Sequence, residues 1–469
     1  MTPRTRLISA ALVVFIAAGG AAAYARHAAG ADAATLAAPA ARPNIVANID
    51  LNALLGQGKS PNALIEIAYD NVEREYYKPV ADQLLVTGER KALTLYLKTK
   101  KVSAPLVAAA TPSGDRTRDL ALLESTLATT QQRYPTLPHD ELTQAALSGM
   151  LGGLGDPYTV YLTPKAIQGL NEQLQGGNFG GIGVYIIQDR KTGDVYAQPI
   201  EGNPAIKAGV QVGDVITAVD GHATNGQTLD KVESEIRGPK GSVVALTLRH
   251  HITKRVQTVH VVRADVHVPS VVSKNMNGIG YVQLADFGST SADEVRAAFV
   301  NLQKQNVHGY ILDLRNNGGG LLDAAVDISS IFIPHGTIVS TINRAGVSDV
   351  KSAEGNSIGA KPLVILVNKY TASASEITAG AVQDYGAGTL VGEKTYGKGV
   401  VQSIYPMPDN GALKITTGRY LTPKGRDINH LGIVPDVVVP QVIEAGIIGS
   451  PRDKQLAAAK RIITKDRSS

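Results

Sequence analysis

The stretch from Pro362 to Tyr405 leaves this chain few folds to choose from. Leu363-Val364-Ile365-Leu366-Val367 is an unbroken apolar run of strand length, the pattern of a strand buried on both faces. A polar turn follows, Asn368 to Thr371. From Ala374 to Tyr385 small residues with Ile377, Ala381 and Val382 predict a helix packed closely on a sheet. A second strand is expected at Thr389 to Gly392. Strand, turn, helix, strand is the unit of an α/β layer. Ser373 stands at the strand-to-helix turn, where a side chain is held at the edge of the sheet. The backbone N–H after it points into the same space, near the positive end of the helix dipole. Further on, Lys398 lies between Gly397 and Gly399, open to close approach by other backbone, and Gln402 falls on the following strand.

The chain has no Cys, so a thiol nucleophile is excluded. It has ten His, none between Pro362 and Tyr405. If Ser373 is a nucleophile, Lys398 is the candidate base, in a Ser-Lys variant of the triad logic. Such a lysine must be neutral to accept a proton, which calls for burial or a nearby positive potential.

Thr371-Ala372-Ser373-Ala374-Ser375-Glu376-Ile377, followed by Gly392-Glu393-Lys394-Thr395-Tyr396-Gly397-Lys398-Gly399-Val400-Val401-Gln402, resembles the carboxyl-terminal processing (tail-specific) serine proteases. The resemblance implies that Ser373 is the nucleophile, Lys398 the general base and Gln402 the residue that orients the lysine. The interval 398 − 373 = 25 fits the first serine of the pair, so Ser375 reads as a helix-start residue. Tyr310 to Leu314 is expected as a buried strand, with Arg315-Asn316-Asn317-Gly318-Gly319-Gly320 as its exit and a helix from Leu321 to Phe332. By resemblance this exit supplies the oxyanion hole, with one N–H from Gly319 and the other from Ala374. The family often has Pro where Gly318 stands, so Gly320 stays open as the donor.

Arg4 and Arg6 precede Leu7 to Ala25, an uncharged apolar run that reads as a signal peptide or a membrane anchor; either implies export. Residues 26–44 read as an Ala-rich linker and 45–175 as a helical region. Residues 80–118 depart from the family pattern and are basic; they read as a solvated helical face or an interaction surface. Residues 176–264 resemble a PDZ domain, which captures a C-terminal carboxylate on backbone N–H groups and adds the peptide to a sheet edge. The loop Gly181, Ile182, Gly183 and Val184 would hold the carboxylate. Arg237, at the end of the expected helix Thr228 to Ile236, is the candidate for coupling peptide capture to the catalytic core.

A catalytic core is expected over 265–440 and a C-terminal tail with a helix over 441–469. Within the core, Ser291-Ala292-Asp293-Glu294 reads as a capping box. Gly355-Asn356-Ser357-Ile358-Gly359 matches the nucleophile elbow of α/β-hydrolases but has a polar stretch before it and a strand behind it, so it reads as a loop.

The expected fold is an α/β serine-peptidase core with an inserted β-rich PDZ-like domain and an N-terminal helical segment. The expected function is that of an exported endopeptidase acting on proteins with free apolar C-termini, without metal or cofactor. A PDZ-bearing scaffold on an inactive core is the alternative, favoured only were Ser373 or Lys398 missing. A formal charge of +5 without a compact basic, aromatic stripe argues against nucleic acid. A homo-oligomer, an activating adaptor and a membrane tether through residues 7–25 stay open.

Overall fold

The computed structural model describes residues 60–466, apart from 110, 175–178, 190–191, 267, 360 and 443–446. The leader and the linker lie outside the described residues.

The apolar run Leu363–Val367 is the fourth strand of a six-stranded sheet. The order is Val271–Met276, Ile279–Leu284, Gly309–Asp313, Leu363–Val367, Thr389–Gly392 and Val437–Val438, all neighbours parallel except the first pair. Strand alternation divides these residues between two cores. Ile365 and Val367 face the helices Ser291–Lys304, Leu322–Ser330 and Ala374–Tyr385. Val364 and Leu366 face Leu456, Ala459 and Ile463 of the C-terminal helix Lys454–Asp466. The expected tail helix is thus the second covering layer of the sheet.

A second sheet is built on the long strand Ala412–Leu421. It pairs with Val160–Leu162 and Thr337–Asn343, and with Val400–Pro406, which carries Gln402. The hairpin Thr337–Asn343 and Gly346–Ser352 was not expected. Ser357 lies in the connection after it, with no helix following, in keeping with the loop reading.

The helical segment comprises Pro61–Glu75, Asp82–Thr99, Arg116–Arg133 and His139–Gly152 around one apolar cluster. The unusual residues 80–118 include a two-faced helix, with Lys91 and Lys98 exposed on one side. The helix Asp82–Thr99 buries Leu85, Val86, Glu89, Leu93 and Leu97. It meets His139–Gly152 at glycines: a Cβ on Gly88 would lie 2.2 Å from Gly149 O, and one on Gly153 2.0 Å from Leu84 O. The capping box at Ser291 is also corrected. Thr290 is the N-cap, and Ser291 Oγ donates to Asp286 O at 3.1 Å.

The PDZ-like unit is an antiparallel sheet of Val184–Gln188, Val195–Pro199, Val215–Val219, Val243–Arg249 and Val256–Val262, with the helix Leu229–Ile236 packed across it. Its entry, Phe179–Gly181, pairs antiparallel with its exit, Ala264–Val266. The buried Arg263 side chain donates to Ile236 O, Glu235 O and Val243 O, tying the helix end to that exit.

Candidate active site

Ser373 begins the helix Ala374–Tyr385 with φ 57° and ψ −120°, a left-handed conformation costly for a residue with a Cβ. The surrounding turn enforces it. Ser373 N donates to Glu376 Oε2 at 2.9 Å, and Ala372 N donates to Asn317 O at 3.0 Å. Ser375 Oγ also donates to Asn317 O, at 3.0 Å, so the second serine anchors the glycine turn.

The Glu376 carboxylate is fully buried and joins the two halves of the site. Besides Ser373 N it accepts from Lys398 N at 2.9 Å, Gly397 N at 2.7 Å and Thr395 Oγ1 at 2.5 Å. Burial pushes its pKa up while these donors pull it down. Glu376 was not singled out from the sequence, although Ser373-x-x-Glu376 is a capping-box pattern.

Lys398 is 5% exposed. Its glycine neighbours are required: a Cβ on Gly397 would lie 2.8 Å from Gly432 N, and one on Gly399 2.5 Å from Asn429 N. The Lys398 ammonium lies 4.7 Å from the centre of the Tyr158 ring. Burial first, and the Lys414 charge second, push its pKa down to about 8. The buried Tyr420 hydroxyl donates to Lys398 O and is also in hydrogen-bond contact with the Ser373 side chain. Burial holds that phenol far above its ordinary pKa.

Gln402 is buried on Val400–Pro406, opposite Thr416, and its Nε2 has no hydrogen-bond partner among the described residues. Gly319 lies against the Ser373 turn: a Cβ there would be 2.7 Å from Ala374 N and 2.8 Å from Ser373 Cβ. Its own N–H donates to Asn317 Oδ1 at 2.8 Å. Ser373, Ala374 and Gly319 therefore meet at one point, and Lys398 is tied to that point through Glu376.

In the PDZ-like unit, Ile182 O and Gly183 O accept from Ala205 N and Ile200 N, so the loop carbonyls turn inward. Gly183 has φ +71° and packs on Asn203. Val184–Gln188 pairs only with Val195–Pro199 among the described residues, so its other edge is open. Tyr185 on this strand is close enough to Asp286 of the core to be acted on by its charge. The turn that follows Asp286 meets the glycine turn, Phe287 N donating to Gly319 O. Arg237 ends the helix Leu229–Ile236 and reaches Glu233 at 2.5 Å.

Asp214, His250 and His251 form one group with metal-ligand chemistry, their ligand atoms within 4.8 Å of one another. His250 Nδ1 there accepts from Ile252 N and Thr253 N, and its Nε2 meets Gln211 Oε1, which makes this group part of the turn.

Residues 278–439 match the family model described as peptidase family S41, and residues 195–250 match a PDZ domain. A carboxyl-terminal-processing protease of Picosynechococcus sp. is 41% identical over 343 residues, 72% of this chain and 82% of the relative. The protein of that name from Synechocystis sp. is 39% identical over 343 residues, 71% of this chain and 80% of the relative. A carboxy-terminal-processing protease of Bartonella bacilliformis is 37% identical over 316 residues, 66% of this chain and 72% of the relative. The serine turn and the glycine-flanked lysine lie within the first match and the PDZ-like unit contains the second, and this chain belongs to peptidase family S41, the carboxyl-terminal processing serine peptidases.

Proposed function

We propose that this chain is an exported endopeptidase that captures protein C-termini on its PDZ domain and cleaves them with Ser373 and Lys398. The observation that carries the reading is the shared carboxylate of Glu376, which binds both Ser373 N and Lys398 N at 2.9 Å. Ser373 Oγ attacks the peptide carbonyl, and neutral Lys398 takes its proton and later returns it to the leaving amine. Gln402 Oε1 is an acceptor suited to an Nζ–H of Lys398, which orients the amine and leaves its single lone pair for the Ser373 proton. Ala374 N–H and Gly319 N–H stabilise the oxyanion, Gly319 exchanging Asn317 Oδ1 for the substrate oxygen.

The open edge of Val184–Gln188 accepts the substrate as an added strand, and the Gly181–Val184 loop takes its carboxylate. The nearness of Tyr185 on this strand to the Asp286 charge supports delivery toward Gly319. Arg237 serves as the gate only if it exchanges Glu233 for a partner in the core when peptide binds. Export rests on residues 7–25. Among the described residues no helix is long and apolar enough to cross a membrane.

The test compares cleavage of an unfolded protein by Ser373→Ala, Lys398→Ala, the double variant and Ser357→Ala. Either single loss should equal the double loss, because the pair acts as a unit. An active Ser373→Ala would end the assignment. Two substrates differing only in a free or an amidated C-terminus test the PDZ role, and equal cleavage of both would remove it.

A further inference from the structure

Lys414 is a second lysine buried beside the proposed base. It lies within Ala412–Leu421 and is 4% exposed, against 5% for Lys398. Burying an ammonium is costly unless something recovers the cost, and catalysis as described above makes no use of it. The register sets Lys414 opposite Val160 on one side and Ile404 on the other, with Thr416, the partner of Gln402, two residues further on. Side chains two apart share a face of the strand, so Lys414 lies on the face that carries Thr416.

One turn spans both lysines. Thr416 N donates to Thr159 Oγ1 at 3.0 Å, and Thr159 Oγ1 donates to Asp156 Oδ2 at 2.7 Å. Tyr158 N donates to Asp156 Oδ1 at 3.0 Å, and the Tyr158 ring is the one against Lys398. Burial pushes the pKa of Lys398 and of Lys414 down, and Asp156 opposes this by favouring the charged form of both. Glu376, from the nucleophile helix, also favours charge on Lys398. Lys414 alone among these groups opposes it. Tyr158, Tyr396 and Tyr420 are phenols of the same site, and burial keeps Tyr158 and Tyr420 protonated.

We infer that Lys414 is a positioning residue for the reaction: it holds the positive charge that balances Asp156, so that Lys398 is left in its neutral, proton-accepting form. The arrangement inverts that of two carboxylates sharing one proton: two lysines face one aspartate, and protonating one disfavours protonating the other. Without Lys414, Asp156 and Glu376 would both stabilise the charged, unproductive form of Lys398. This inference rests on Lys398 as the base, and the experiment below separates failure of either idea.

The measurement is the pH profile of kcat/KM for the full chain, with Lys414→Met and Lys414→Arg beside wild type. The expected result for Lys414→Met is an acid limb moved up by about one pH unit, hence about tenfold less activity at pH 7. The loss should shrink above pH 9. Lys414→Arg keeps the charge, so its limb should not move up. A limb unmoved in Lys414→Met, with activity lowered equally at every pH, is the mark of a packing role and overturns the inference. A wild-type profile without an acid limb, or an active Lys398→Ala, sinks the base assignment instead.

Should Lys414→Met fail to fold, lysine 13Cε titration of the folded Ser373→Ala protein decides the matter. Lys414 is expected to lose its proton at higher pH than Lys398, and the reverse order overturns the proposal.

Discussion

At Ser373 the backbone pays for its conformation with one carboxylate. A positive φ at a residue with a Cβ persists only where the surroundings over-determine it, and Glu376 supplies four accepted hydrogen bonds there. Glu376→Gln puts an amide N–H₂ where one oxygen met two donors. Leaving buried donors unmatched should cost about 2–4 kcal/mol, read as a lower midpoint in urea. Displacing Ser373 relative to Lys398 should lower kcat by about a hundredfold; a wild-type kcat would show that the carboxylate does not align the pair. Lys398 fixes a second expectation. With its pKa at about 8, about a tenth of it is neutral at pH 7, so the rate should climb with pH and level off above pH 8. Lys398→Arg, charged throughout, should stay inactive at every pH. Activity recovered at pH 9 in that variant would exclude a deprotonated base.

Two helices of the N-terminal segment approach as closely as backbones allow. In an exposed helix Gly→Ala gains up to about 1 kcal/mol in propensity. At Gly88 a Cβ would stand 2.2 Å from Gly149 O and 2.8 Å from Gly153 Cα, all of it backbone that cannot step aside. Overpacking of this kind costs about 1–3 kcal/mol, so the clash should win over propensity. Gly88→Ala is therefore expected to lower thermal stability, and a raised Tm would show that the seam is slack. The reading of residues 80–118 as a solvated helical face or an interaction surface covers one side of the helix Asp82–Thr99, where Lys91 and Lys98 are exposed, and leaves out the other. Its lysines are what composition displays, while the glycine seam and the buried Leu85, Leu93 and Leu97 take effect only against His139–Gly152.

Across the whole molecule, the C-terminal helix is fastened to the six-stranded sheet by a buried ion cluster. Arg315 and Asp453 have fully buried side chains, joined at 2.9 Å through two hydrogen bonds, and Arg315 also binds Asp313. Arg315 leads directly into the glycine turn that carries Gly319. Burial would raise the Asp453 pKa, but hydrogen bonds from Arg315, Leu456 N and Gly449 N hold it below its usual value. A carboxylate depressed in the folded state stabilises above its unfolded pKa of about 4 and loses that contribution as pH falls through the folded value. Asp453→Asn should cost about 3 kcal/mol at pH 7, because it leaves buried charge partly uncompensated. Its stability should then fall less between pH 5 and pH 3 than that of wild type. Equal stability at pH 7 would mean that the tail helix docks by apolar contact alone.

Local periodicity by itself determined the strand Leu363–Val367, the helix Ala374–Tyr385 and the strand Thr389–Gly392, because a doubly buried strand and a tightly packed helix need the same residue types wherever they occur. The Ser373 turn and the glycine-flanked Lys398, the pair proposed here as the dyad, were legible as motifs for the same reason: both sit on short turns whose glycines and small residues are local requirements. Only the tertiary structure decided what surrounds that pair. Asp156 and Tyr158 come from the turn after the helical segment, and Lys414 and Tyr420 from a strand whose alternation looks like that of any other. Burial and charge fall off over a few ångströms in space and take no account of separation along the chain, so the environment that lowers a lysine's pKa is a property of the fold.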